Sequence, residues 1–155
     1  MVFRDGSFCD YETEYRIWDL NSVSVGINLN TDNDIEDYHD LITENIAWIN
    51  RKRHLIEQAI LENRMTESAE FWVLECEKSD DGGFILKDGS KVFMPISDDD
   101  FCKSLVISEL TINIEENGKN DMEIYFTCKP DYFSGHCIEI LIDNDKNITC
   151  DGLSG

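Results

Sequence analysis

Leu110-Thr111-Ile112-Asn113-Ile114-Glu115-Glu116-Asn117-Gly118-Lys119-Asn120-Asp121-Met122-Glu123-Ile124-Tyr125-Phe126-Thr127-Cys128 is the stretch that decides the fold. Leu110, Ile112 and Ile114 alternate with polar residues before Asn117-Gly118, and Met122, Ile124, Phe126 and Cys128 do so after it. Successive side chains of a strand point to opposite faces, so this period of two marks strands with one apolar and one polar face. Asn117-Gly118 turns the chain between them, and Lys129-Pro130-Asp131 breaks the second strand. Beyond the break, Ile138, Ile140 and Ile142 form another strand. Asn144 to Asn147 turns again, and Ile148 and Cys150 add a short edge. The last third is therefore an antiparallel β-meander.

Reading back toward the N-terminus, Ser97 caps a short helix from Asp98 to Leu105, whose acidic start suits the positive end of the helix dipole. Phe84 to Met94 reads as a tight hairpin, because Asp88-Gly89 supplies the positive φ angles of its turn. Phe71-Trp72-Val73-Leu74 is too short for periodicity to separate strand from helix end. Before it, Ile35, Tyr38, Ile42, Ile46, Ile49, Ile56 and Ile60 recur at helical spacing, with Thr31 or Asp32 placed to cap the start. The stripe weakens at Arg51-Lys52-Arg53-His54, which predicts one long helix or two with a bend. Cys9 to Ile17 and Val23 to Leu29 alternate across a turn at Asp19-Leu20-Asn21, giving an N-terminal β-hairpin. The expected architecture is a single α+β domain over residues 1–155: N-terminal β-hairpin, long or bent helix, short helix and C-terminal antiparallel β-meander.

Thirteen basic against thirty-three acidic side chains give a net charge of −20. Such a field repels nucleic acid and anionic lipid and attracts basic proteins. The start, Met1 to Gly6, has no apolar signal segment, and no apolar run is long enough to span a bilayer. The six cysteines are dispersed without a Cys-x-x-Cys pair, which argues against a zinc knuckle and for reduced thiols in a cytoplasm. No metal and no cofactor is expected.

Phe133-Ser134-Gly135-His136-Cys137-Ile138 and the closing Gly152-Leu153-Ser154-Gly155 form the most distinctive motif. Together with Phe101 and the order of elements, it resembles a bacterial family catalogued as domain of unknown function 2262. The motif carriers are Phe133, Gly135, His136, Ile138, Gly152 and Gly155, and the likeness is specific over Phe133 to Gly155. It departs around Phe71 to Pro95, where this chain carries an extra hairpin. The resemblance brings no catalytic residues with it. It does imply kinship with small acidic bacterial domains, among which immunity proteins that neutralise toxins are common.

His136 is the sharpest chemical candidate, with Asp131 or Glu139 to orient it and Ser134 or Cys137 as a neighbouring nucleophile. Adjacent strand residues face opposite ways, however, so His136 and Cys137 make a poor dyad, and a turn-fixing histidine with a largely buried ring explains the residue better. Asp143-Asn144-Asp145-Lys146-Asn147 begins like a calcium loop but has Ile148 where glycine is needed and Ser154 where glutamate is needed. The basic cluster around Arg51 reads as ion pairs on a helix face. The leading functional expectation is a non-catalytic acidic binding protein, a monomer or weak homodimer. Its expected partner is a basic protein such as a toxin domain, engaged through Glu12, Glu14, Glu115, Glu116 and Glu123. The alternatives are a small hydrolase centred on His136 and a self-associating structural or regulatory domain.

Overall fold

Alternation and helical periodicity are both realised in the computed structural model, which describes residues 2–3 and 9–155. The strands of the main sheet are β1 (Val2–Phe3), β2 (Tyr11–Ile17), β3 (Leu20–Asn30), β7 (Leu105–Glu115), β8 (Asn120–Cys128), β9 (Cys137–Ile142) and β10 (Ile148–Ser154). They lie in the order β1-β2-β3-β7-β8-β9-β10. Neighbours are antiparallel except β3 and β7, which run parallel with Val25 opposite Leu110. A parallel pair needs a crossover that returns the chain to the starting end. Here the helices α1 (His39–Arg51), α2 (Arg53–Glu62), α3 (Met65–Leu74) and α4 (Asp98–Ser104) supply it. Between α3 and α4 sits a small sheet of β4 (Glu77–Lys78), β5 (Phe84–Ile85) and β6 (Lys91–Val92). The fold is α+β with a mixed main sheet.

One face of that sheet is the core face. Val23, Val25 and Ile27, then Leu110, Ile112 and Ile114, then Met122, Ile124 and Phe126, and finally Ile138, Ile140 and Ile142 are all buried on it. The helices cover them with Ile42, Ile46 and Ile49 of α1, Ile56 and Ile60 of α2, and Ala69 and Val73 of α3. Trp18 locks the first hairpin to this layer. Its indole N–H donates to the Ile49 carbonyl at 3.0 Å, its ring stacks on Phe126 at 5.3 Å, and the Arg53 guanidinium lies 4.8 Å from the ring centre.

Several sequence expectations shift by a residue or an element. The helical stretch does break, at Lys52 between α1 and α2. Its entry is a 3-10 turn, Ile35–Tyr38, capped by Asp34 through the Glu36 N–H; Thr31 instead accepts from the Asn33 N–H. Phe71 to Leu74 belongs to the end of α3. The first turn is made by Trp18 and Asp19, both at positive φ. The Phe84–Met94 hairpin forms as β5 and β6, and β4 joins it to make three strands. Leu105 opens β7 and does not close α4, whose cap is Ser97 as expected, accepting from the Asp100 N–H at 3.0 Å. The expectation of no signal segment at residues 1–6 lies outside the described residues except at Val2–Phe3.

Candidate functional site

The Phe133–His136 turn links β8 to β9 and gathers an aromatic knot. Phe133 is fully buried, with Trp72 of α3 edge-on to it at 5.9 Å and Phe101 of α4 edge-on at 6.3 Å. Phe101 also stacks on Tyr132 at 6.0 Å. Ser134 and Gly135 reverse the chain at φ 54° and 87°, and the Gly135 N–H donates to Asp131 Oδ1 at 3.0 Å. The His136 ring sets Nδ1 2.8 Å from the Phe133 carbonyl oxygen and leans on Trp72 with ring centres 5.1 Å apart. A carbonyl only accepts, so Nδ1 carries the hydrogen. Gly155 closes on the same ring: a Cβ there would stand 3.4 Å from His136 Cδ2. Gly152, at φ 84°, sits at the irregularity in the β9–β10 register, and Ile138 is fully buried.

Phe133, His136 and Gly155 therefore meet in one place beside α3 and α4, while Gly152 lies toward Asn63 at the end of α2. The ring is partly buried, against Trp72 on one side and Gly155 on another. Asp131 binds the Gly135 amide, while Cys137 starts β9 with its Sγ 3.9 Å from Ser108 Oγ. Neither is in place to orient His136 or to be activated by it.

The opposite face of the main sheet carries a different chemistry. Glu12 and Glu14 of β2 pair with Gly26 and Ser24, which alternate with the core residues of β3, so both carboxylates belong to this open face, where Cys9 lies over Gly26 and Thr111 is buried. Glu12 accepts a hydrogen bond from the Ser24 hydroxyl. Across the sheet, Glu109, Tyr125 and Glu139 form one row, and Thr111, Glu123 and Leu141 the next. The Tyr125 hydroxyl donates to Glu139 Oε1 at 3.3 Å. Partial burial, helped by the negative charges of Asp121, Glu139 and Glu109, pushes the Glu123 carboxyl above its ordinary pKa. Asn28 Nδ2 donates to Asn113 Oδ1 at 2.9 Å, and Asn113 Nδ2 to Asp121 Oδ1 at 2.7 Å, an amide chain ending on a carboxylate.

Of the five glutamates expected at a partner surface, Glu12, Glu14 and Glu123 share this face. Glu115 lies at its end, opposite Asn30, and Glu116 lies in the β7–β8 turn. Glu109, Asp121 and Tyr125 are not singled out by the sequence, and Glu139 only as a candidate acid beside His136. Alternation in each strand shows a polar side, but only the register between strands brings these four together.

Arg16 lies in β2, two residues beyond Glu14, while several other basic side chains sit in ion pairs away from the sheet. Arg51 bonds Glu44 at 2.9 Å, Arg53 bonds Glu57 at 2.7 Å, Arg64 pairs with Glu67, and Lys103 with Asp99 at 2.8 Å. No lysine or arginine occurs in β3, β7, β8, β9 or β10, five adjacent strands of the seven in the sheet. The Asp143 run is a turn: its carboxylate accepts the N–H groups of Asp145 and Asn147 at 2.9 and 2.8 Å, which holds its pKa below the usual range. No helix among the described residues is long and apolar enough to cross a membrane.

A family model described as "Uncharacterized protein conserved in bacteria (DUF2262)" matches residues 5–153, a span that includes Phe71 to Pro95 as well as the glycine-histidine motif. The chain belongs to that family. Neither the curated proteins nor the solved structures contain a significant match.

Proposed function

We propose that this DUF2262 member is a non-catalytic binding protein whose open sheet face receives a basic protein, and that it acts as an immunity protein by covering a cationic toxin domain. The observation that carries this reading is the segregation of charge. Five adjacent strands hold no lysine or arginine, and Glu109, Asp121, Glu123 and Glu139 share their open face, where burial first and then Asp121, Glu139 and Glu109 raise the pKa of Glu123. Like charges held together cost free energy that a cationic partner returns. The row Glu109–Tyr125–Glu139 also places an aromatic ring between two carboxylates, a setting that suits a guanidinium group.

The hydrolase alternative gains no support from the geometry around His136, where the ring holds a backbone carbonyl, Asp131 and Cys137 face other groups, Glu139 is bonded by Tyr125, and Ser134 forms the turn at positive φ. Affinity capture from the native host tests the binding reading. The captured protein should be basic, and Glu109→Lys together with Glu139→Lys should abolish its capture. An acidic protein, or retention by the double variant, would refute it.

A further inference from the structure

Outside the sheet face, the least expected feature is on α3. Its inner side packs Met65, Ala69 and Val73 into the core, yet Phe71 is 70% exposed and Leu74 58% exposed on the outer side. Residues three and four apart share a helix face, so Glu67, Phe71, Leu74 and Glu75 form one stripe. An aromatic and an aliphatic side chain left together in water lose the burial that a partner would restore. Carboxylates frame the pair. Glu67, Glu70, Glu75 and Glu77 surround it in sequence, against Arg64, which is taken up by Glu67, and Lys78. Glu70 also accepts the Ile96 N–H at 3.3 Å, which fixes this helix against the segment that follows the small sheet. The surface is therefore built on a rigid element.

The geometry points to the outer face of α3 as a second docking surface, one that takes a cationic amphipathic helix of another protein, with its apolar stripe on Phe71 and Leu74 and its basic flanks against the surrounding glutamates. Charge selects this occupant. A second copy would bring its own Glu67 and Glu75 into the contact, and each copy carries a net charge of −20. An anionic lipid surface is disfavoured on the same ground. Helix-in-groove recognition uses this pairing of apolar anchors with complementary charge at the rim. The surface lies in the helical layer, behind the core from the open sheet face, so it goes beyond the function proposed above and does not depend on it.

The test uses the full chain and two labelled 18-residue peptides of identical leucine and lysine composition, one with leucines on a single helical face and one with them scattered. Fluorescence anisotropy should show the amphipathic peptide binding about tenfold tighter than the scattered one. Phe71→Ser with Leu74→Ser should erase that preference without lowering the melting temperature, since both side chains are already in water. Glu109→Lys with Glu139→Lys, on the other layer, should leave it intact. Equal binding of the two peptides, or an unchanged preference in the α3 variant, would overturn the inference. So would sedimentation showing a dimer that the α3 variant dissociates, because the occupant would then be a second copy.

Discussion

The imidazole Nδ1 of His136 lies 2.8 Å from the carbonyl oxygen of Phe133, three residues before it, and the backbone N–H of His136 donates to the same oxygen at 3.1 Å. One carbonyl thus closes the turn twice, once through the backbone and once through the ring. His136→Ala should lower stability by about 1 kcal/mol, the value of one such bond at a half-buried site. His136→Asn, which keeps a donor on a short side chain, should recover part of it. Chemical denaturation measures both, and an alanine variant as stable as the parent would contradict this role.

Gly26 lies in the interior of β3 with Cys9 directly above it. A Cβ at Gly26 would collide with Cys9 Sγ and stand 3.1 Å from its Cβ. Gly26→Ala is therefore expected to destabilise by about 1–3 kcal/mol through overpacking. Adding Cys9→Gly should relieve much of that loss, and a double-mutant cycle would show the coupling. Additive effects of the two changes would disprove the contact.

Glu123 predicts a pH dependence with a definite sign. Its native pKa is raised, by burial first and then by Asp121, Glu139 and Glu109. The folded protein therefore holds this proton more tightly than the unfolded chain does. That contribution is complete below the ordinary glutamate pKa, about 4.3, and is lost as pH rises through the native value. Glu123→Gln should melt above the parent at pH 7, and the gap should close on acidification toward pH 4. A variant less stable than the parent at pH 7 would show that the ionised carboxylate is favourably paired.

The cysteines should differ in reactivity. No two of the six are joined in a disulfide, and all lie among the described residues. Burial pushes the Cys128 thiol up to about 12, and burial with help from Glu57, Asp98 and Asp99 pushes Cys102 up to about 11. Only the thiolate reacts readily. Titration of the native protein should label Cys128 and Cys102 last, whereas the denatured chain should yield six equivalents. Fast native labelling of Cys128 would contradict its burial.

Period-two alternation located the C-terminal meander and the N-terminal hairpin because each strand has one face in the core and one in solvent. It could not say that β3 lies beside β7, since a strand's own pattern is indifferent to which neighbour it pairs with. The parallel join between Val25 and Leu110 is a property of the crossover, and no local signal carries it. Phe71 to Leu74 was ambiguous because α3 presents apolar residues on both its inner and its outer sides. At the sites, the turn residues Phe133 to His136 were legible because their signal is local: glycine, an aromatic and a histidine in four positions. The acidic face was half legible. Glu12, Glu14 and Glu123 follow from alternation, while Glu109 and Glu139 come into play only through the register that sets both beside Tyr125.

The central claim is that charge on the open face steers a basic partner, and the salt dependence of its association rate tests this most directly. With the captured partner in stopped flow, the association rate should fall steadily as salt is raised, since screening shortens the field to about 8 Å at physiological ionic strength. Glu14→Lys, Glu115→Lys and Glu123→Lys together should slow association by about tenfold at low salt and flatten the salt dependence. An association rate that does not change with salt, or that is the same in parent and triple variant, would contradict the account.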